Sequence, residues 1–419
     1  MDSRQSQLLR VARWLAFASA ASILVGIAPS QIFLGLSLAA LFASRAPLRL
    51  PRIKLPLALF LLGTVVSLLL SDDPAAGLPQ IRKFYVFAEL LIVFSLLRSL
   101  AMVRALFLTW AGVGAFTAVR GCIQFLAKVQ EAHRLGRNFY DFYVGERITG
   151  FTSHWNTYSA EEMFALIMLV SLLFFGTSVG KRLWLWIPCG ALLALAIVLG
   201  ETRGIWIAVA VALLYLVWFW RRWMVLLAPV VLLAAFFLAP AAVQQRATSI
   251  FRPKDVDSNQ FRVVTWRTGL KMVERHPWFG LGPEEVKAQF NDYVPVDIPR
   301  PLPSGWYGHL HNIYLHYAAE RGIPTMLVLL WMLVQILVDF RRGLIALPPG
   351  PGTRRFLLHG GIAMVLATMT EGFVELNLGD SEVLTMFLVV TACGYLALEP
   401  DVPAGWPESV PLPSPSTAP

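Results

Sequence analysis

Residues 183–222 read LWLWIPCGALLALAIVLG-ETRG-IWIAVAVALLYLVWFW-RR, two apolar runs joined by a minimal polar turn and closed by paired arginines. A helix needs roughly 17–25 apolar residues to cross a hydrocarbon core about 30 Å thick, and each run is of that order. Apolar runs of this kind recur along all 419 residues, of which 57% are hydrophobic and 15% charged, against roughly 25% charged in an ordinary soluble domain. Period-2 alternation is absent, which argues against a lipid-embedded β-barrel. The expected fold class is an all-α polytopic membrane protein.

About twelve transmembrane helices are expected, near 11–29, 31–44, 55–71, 82–99, 103–126, 157–177, 183–200, 204–220, 222–239, 323–340, 356–374 and 383–398. The expected organisation is a bundle over 1–239 with a smaller outer loop near 127–156, a large outer segment over 240–322, three last spans over 323–398 and a disordered tail over 399–419. The tail is rich in Pro and Ser. With the N-terminus inside, the inner loops hold Arg45, Arg49, Arg52 and Lys54; Arg98 and Arg104; Lys181 and Arg182; Arg221 and Arg222; and Arg341, Arg342, Arg354 and Arg355. The short opposite loops are nearly free of Lys and Arg, so the positive-inside rule sets the orientation and puts both termini in the cytoplasm. The first apolar run has no small-residue cleavage site and reads as a retained anchor.

The net charge of +9 therefore has a topological explanation, and no nucleic-acid partner is expected. Cys122, Cys189 and Cys393 fall inside apolar runs, with neither metal-ligand spacing nor a disulfide pattern, and read as small core residues. Long loops translocate regardless of charge, so the basic residues of the two large outer loops need another reason. A polyanionic or diphosphate ligand is one; anionic lipid headgroups are the alternative.

Certain residues stand against their background. Arg203 occupies the outer turn between two apolar spans, where it can grip phosphate oxygens, snorkel to the interface or pair with Glu201. Arg120, near the outer end of the fifth span, can pair with Glu161 or Glu162 or line a polar cavity. Arg82 and Lys83 open the fourth span on the outer side, against the positive-inside pattern, as site residues or interfacial anchors. Asp257-Ser258-Asn259 can cap a helix that carries Arg262, Trp266 and Arg267, with Val263, Trp266, Leu270 and Val273 as its buried face. Pro277-Trp278-Phe279-Gly280-Leu281-Gly282-Pro283 forces a tight turn. His309 and His311 precede a helix that ends at Gly322, with His311, Tyr314 and Leu315 on one face. Two histidines two apart do not share a helical face, and no second acidic pair has metal-like spacing, so no metal is expected. A neutral His311 as proton acceptor is the better-motivated role; a surface histidine without function is the alternative.

The ordered motifs resemble those of the O-antigen ligase and O-antigen polymerase superfamily. The carriers are His311-Asn312-Ile313-Tyr314-Leu315 through Glu320-Arg321-Gly322-Ile323-Pro324; Thr202-Arg203-Gly204-Ile205-Trp206; Arg262 and Trp266 followed by His276-Pro277-Trp278-Phe279-Gly280-Leu281-Gly282; and Arg147-Ile148-Thr149-Gly150-Phe151 leading to Asn156. The resemblance implies a metal-independent, cofactor-free glycosyltransferase of the membrane-embedded GT-C type in the bacterial inner membrane. Its donor would be an undecaprenyl-diphosphate-linked glycan, its acceptor lipid A–core, and its active site periplasmic, among membrane lipids. It further implies His311 as general base, with Arg203, Arg262, Arg147, Arg82 and Lys83 facing the diphosphate and Arg120, Arg267, His309, Asn156 and Trp266 near the substrates. A polymerase of the same superfamily is the alternative within it, and a protein-directed sibling is disfavoured by the short C-terminal region. A transporter or flippase would show internal repeats and broken spans at mid-depth, which the halves do not display.

Overall fold

A computed structural model describes residues 3–177, 183–251 and 259–400. The expected cap at Asp257 and Ser258, the inner-loop pair Lys181 and Arg182, and the tail beyond 400 lie outside the described residues. Every element within them is helical. The first half comprises α1 (Ser3–Ser22), α2 (Ile27–Ala43), α3 (Lys54–Leu69), α4 (Pro74–Arg82), α5 (Ala88–Leu96), α6 (Leu100–Arg134), α7 (Phe139–Tyr143), α8 (Trp155–Phe175) and α9 (Leu183–Leu199). The second comprises α10 (Arg203–Arg221), α11 (Ala228–Leu238), α12 (Ala241–Thr248), α13 (Asn259–Arg275), α14 (Glu285–Ala288), α15 (Phe290–Tyr293), α16 (Ile313–Ala346), α17 (Thr353–Glu371) and α18 (Ser381–Ala397).

A helix that is apolar on every face belongs in the middle of a bundle, and α8, α17 and α18 behave so. Val383 through Ala397 of α18 are all buried. Around them α10 packs on α17 and α8, α16 on α3, and α6 on α9. At the other extreme, α11 has no buried residue, and Leu232 and Phe237 are 62% and 68% exposed. An apolar surface of that extent is costly in water and costless against lipid. Four helical stretches are long and apolar enough to cross a membrane, namely Leu100–Arg134, Trp155–Phe175, Arg203–Leu238 and Ile313–Ala346, and four shorter apolar helices accompany them. This is consistent with a polytopic membrane protein.

The expected spans differ locally from the observed helices. The fourth expected span is divided: α4 ends at Arg82, a 3₁₀ segment covers Lys83–Phe87, and α5 follows. α6 continues to Arg134, into the expected outer loop, because Gln124-Phe125-Leu126-Ala127-Lys128 offers no breaker. The three cysteines are free, two partly buried and one buried.

The polar segment builds its own small core from Val264, Met272, Leu281, Val286, Phe290, Ile298, Leu310 and Ala319. The buried face of α13 is not the expected one. Val263 and Leu270 are exposed, whereas Val264, Thr265, Thr268 and Met272 are buried. The cause is Gly269, where a Cβ would stand 2.5 Å from Leu310 Cδ1, so the chain packs closest there. The Thr265 hydroxyl donates to Arg262 O at 2.9 Å, which satisfies it inside that contact.

The Pro277–Gly282 turn docks on a break in α16. Gly322 has φ 81 and ψ 160 and interrupts the helix, leaving carbonyls without helical partners. The turn supplies them, with Leu281 N donating to Ala319 O at 2.8 Å and Gly282 N to Glu320 O at 2.9 Å. Ile323 N returns a bond to Pro277 O at 2.8 Å. A Cβ on Gly322 would stand 2.0 Å from Trp278 O, and this φ/ψ region is essentially glycine-only, costing other residues about 1–3 kcal/mol. Gly322→Ala is therefore expected to yield little monodisperse protein in detergent and a lowered melting temperature. A wild-type melting curve would disprove the docking argument.

Candidate functional site

The helix α16 begins at Ile313, one residue beyond Asn312, whose side chain caps it by accepting from Leu315 N at 2.9 Å. His311 precedes the helix with φ 48, a left-handed conformation uncommon outside glycine. It therefore does not share a helical face with Tyr314 and Leu315. Its ring is directed away from the helix by that turn. The start of α16 is fastened to the end of α17: Ile313 N donates to Gly372 O at 2.7 Å, Asn312 Nδ2 to Phe373 O at 3.0 Å and Tyr314 Oη to Met369 O at 2.7 Å. These bonds bring Glu375, just past α17, to the histidines.

Glu375 is the centre of the polar cluster. His311 Nδ1 lies 3.1 and 3.2 Å from its two carboxylate oxygens, His309 Nε2 3.4 Å from one, and Arg262 Nη2 3.7 Å from the other. The backbone N–H of His311 donates to His309 Nδ1 at 3.1 Å. His309 is thus a hydrogen acceptor at Nδ1 and a donor at Nε2. Burial holds the His309 imidazole down at about 3, against the pull of Glu375, so it is neutral at physiological pH. Burial alone would raise the Glu375 carboxyl, but the His311 hydrogen bond and the surrounding cations hold it at about 2. The other His311 nitrogen, Nε2, faces Trp306 O at 3.3 Å. A base whose second nitrogen is fixed by a carboxylate is an arrangement suited to accepting a proton.

A cavity of about 680 Å³ opens beside this cluster, lined by Arg147, Arg203, Arg246 and Arg262 together with His311 and Glu375. Arg203 is the first residue of α10, and its Nη1 donates to Ser249 O at 3.0 Å and Ser249 Oγ at 2.9 Å. Arg246 Nε donates to Glu201 O at 2.9 Å and Arg147 Nη1 to the same carbonyl at 3.3 Å. The Arg147 guanidinium also lies 4.6 Å over Trp155. Burial, then the neighbouring Arg246 cation, lowers the Arg147 guanidinium to about 9; burial also lowers Arg262. The N-terminus of α10 reaches the same cavity through Thr202, Arg203 and Gly204, and the Thr202 hydroxyl turns to Gly200 O instead of capping the helix. A helix N-terminus lined with guanidinium groups is a setting for phosphate oxygens.

The sequence-predicted residues divide by place. Arg147, Arg203, Arg262, His311, His309 and Asn156 line this cavity. Trp266 stands behind it, its indole donating to His311 O at 3.4 Å. Arg203 turns to Ser249, so the expected alternative of a Glu201 pair is replaced. Arg120 Nε donates to Gly150 O at 2.7 Å and its guanidinium lies 4.3 Å over Phe151, not against Glu161 or Glu162. Arg267 pairs with Asp297 at 2.7 Å on the exposed side of α13. Arg82 is exposed. Lys83 lines a different cavity and donates to Gly379 O at 3.3 Å. Sequence reasoning passed over His154, Trp306, Glu371 and Glu375, and took Arg246 only as one of the basic residues of the large outer segment. The one available signal was the pair Glu371 and Glu375, one turn apart at the outer end of an apolar span, where uncompensated carboxylates are expensive. Among the described residues, His309, His311 and Glu375 can also offer three ligand atoms within 4.8 Å of one another to a metal ion. The sequence argument against a metal lacked that carboxylate, which comes from a distant helix end.

Glu201, between α9 and α10, has φ 47 and a fully buried carboxyl without a hydrogen-bond partner among the described residues. Burial raises it from 4.5 to about 7, despite Arg246 and Arg147. A carboxyl that ionises at higher pH in the fold than in the unfolded chain binds the extra proton when folded, so stability is fully present below about 4.5 and falls as pH rises through about 7. Glu201→Gln is expected to melt above wild type at pH 8, with the gap closing as pH falls towards 4.5. A gap independent of pH would refute this.

Residues 188–330 match the family model described as Wzy_C, O-Antigen ligase. The match supports membership of the O-antigen ligase/polymerase superfamily. It spans Arg203, Arg246, Arg262 and His311. Among curated proteins no match is found.

Proposed function

We propose that this chain is an O-antigen ligase of the O-antigen ligase/polymerase superfamily. In this reading it moves a finished glycan from undecaprenyl diphosphate to a sugar of lipid A–core at the periplasmic face of the inner membrane. The chain crosses about twelve times with both termini cytoplasmic, and segment 240–322 is periplasmic, in a GT-C-type arrangement. The observation that carries the reading is the cavity that joins Arg147, Arg203, Arg246 and Arg262 to the His311–Glu375 pair.

An acceptor hydroxyl takes the place beside His311 Nε2 that Trp306 O now faces, and gives its proton to that nitrogen. Its oxygen attacks the anomeric carbon of the donor sugar while the bond to the diphosphate oxygen breaks, which inverts configuration. Charge that develops on the leaving diphosphate is met by the guanidinium groups and the first turn of α10. Glu375 fixes the imidazole and offsets its new positive charge. The arginines supply what a divalent ion supplies in other diphosphate chemistry, so transfer should persist in EDTA.

The test is complementation of an O-antigen-ligase-deficient bacterium with a compatible core, scored by lipopolysaccharide ladders. Wild type should restore the ladder. A change of glycan chain length without a requirement for attachment would favour the polymerase, and no effect would favour a transporter.

A further inference from the structure

The arginine-lined cavity has a neighbour of opposite character. A second cavity, of about 350 Å³, is lined by Glu284, Glu320, Asp380 and Glu382, with Lys83 and Arg321 as its cations. The two cavities share His154, Asn156, Trp306, His309, Glu371 and Glu375, so they meet at the catalytic cluster. Most of the acids have structural partners: Asp380 caps α18 through Glu382 N at 3.0 Å, Glu284 bonds Gln80, and Glu320 lies 3.4 Å from His316 Nε2. Glu320 Oε2 also lacks a hydrogen-bond partner among the described residues, with Arg321 Nε 3.7 Å away; Glu371 differs in its position. It is 1% exposed and lines both cavities at their junction, with Oε2 accepting from Asn377 Nδ2 at 3.2 Å. Its Oε1 has no hydrogen-bond partner among the described residues. A buried carboxyl oxygen without a partner is destabilising, and a ligand hydroxyl or ammonium at the junction would satisfy it.

We propose that this acidic cavity is the acceptor-sugar subsite, and that it selects an acceptor sugar without phosphate or carboxylate, whether neutral or amine-bearing. The inference rests on the transfer reading above. In-line displacement requires the nucleophile to arrive opposite the leaving group. The arginines take the diphosphate on one side of the cluster, so the acceptor enters from the other. Sugar hydroxyls and ammonium groups are donors that carboxylates and the Asn377 and Asn156 amides can satisfy. An anionic sugar would meet Glu284, Glu320 and Asp380 with Lys83 and Arg321 as the only lining Lys or Arg among the described residues, and like-charge juxtaposition disfavours it. Glu371 then receives a hydroxyl adjacent to the attacking one and orients the ring.

The test uses full-length protein in nanodiscs, an undecaprenyl-diphosphate glycan donor and two lipid A–core acceptors. One core ends in a neutral hexose; the other carries a phosphate on that hexose. Wild type is expected to prefer the neutral acceptor by about tenfold or more in kcat/KM. Glu371→Gln should raise acceptor KM and leave donor KM within about twofold. Glu382→Lys should narrow or reverse the preference by improving use of the phosphorylated acceptor, a gain that misfolding cannot produce. Equal use of both acceptors by wild type, or an effect of Glu371→Gln on donor KM alone, overturns the subsite while the transferase reading survives. Absence of transfer to either acceptor by wild type overturns both.

Discussion

His311→Ala is expected to leave glycan stranded on its lipid carrier, with transfer reduced about 10²–10⁴-fold, the usual contribution of a positioned general base. The argument rests on three contacts. His311 Nδ1 is committed to Glu375 at 3.1 Å, so Nε2 is the nitrogen available to substrate. The left-handed turn at His311 and the Asn312 cap fix where the ring leaves the backbone. Phe261 lies edge-on to the ring at 5.0 Å and restricts its swing. Alanine removes the ring but keeps Asn312 and the helix start, so the variant should fold and retain donor binding. Glu375→Gln keeps a hydrogen-bond acceptor for Nδ1 but removes the charge. It should lower kcat less than His311→Ala and displace the pH profile of transfer, because Glu375 acts through His311 without touching the reacting atoms. If His311→Ala keeps more than about a tenth of wild-type transfer at matched expression, the general-base assignment fails.

The sequence discloses the fold class because the governing signal is local: apolar length and sidedness of Lys and Arg need no knowledge of contacts. It also discloses the break at Gly322, since a glycine followed by Pro324 stops a helix whatever surrounds it. The cavity is legible in part for the same reason. Arg203, Arg147 and Arg262 each stand out beside an apolar run or a tight turn, and all three line it. Glu375 does not stand out, because its role depends on the bonds that tie the start of α16 to the end of α17, a contact between residues more than fifty positions apart. Arg246 shows in the sequence only as one of the basic residues of the large outer segment. Its neighbours Gln244, Gln245 and Thr248 make it look like an ordinary exposed helix cation, yet it is 3% exposed and bonded to Glu201 O. Arg120, Arg82 and Arg267 stand out equally well in the sequence, and the fold directs them to Gly150, to the surface and to Asp297. Unusual placement flags a cation; only the tertiary structure shows whether it meets a partner, and which.

Two of those outlying cations, Arg120 and Arg267, supply the controls for the second large effect. Arg262→Ala is expected to lower transfer about 10²–10³-fold, the scale found when one preorganised donor to developing charge is removed. Arg262 is the cation that faces both parts of the proposed mechanism: its Nη2 lies 3.7 Å from Glu375, and its side chain, only 22% exposed, lines the arginine-lined cavity with a buried Nε that has no partner among the described residues. The charge that needs it grows on the diphosphate as the glycosidic bond breaks, so kcat should fall together with kcat/KM, and donor binding should weaken less. Arg262→Lys should not rescue fully, because an ammonium is a point charge and cannot present the paired donors of a guanidinium to two phosphate oxygens. Removing Arg262 also takes a cation from Glu375, so part of the loss could arise at His311. The double variant Arg262→Ala with Glu375→Gln separates the two: a loss equal to the product of the two single losses places the effect on the diphosphate, whereas a loss no greater than the larger single one places it on the dyad. Arg120→Ala and Arg267→Ala, whose partners are a loop carbonyl and an exposed aspartate, should remain close to wild type. If either of them costs as much as Arg262→Ala, catalysis does not follow the cavity that joins the four arginines.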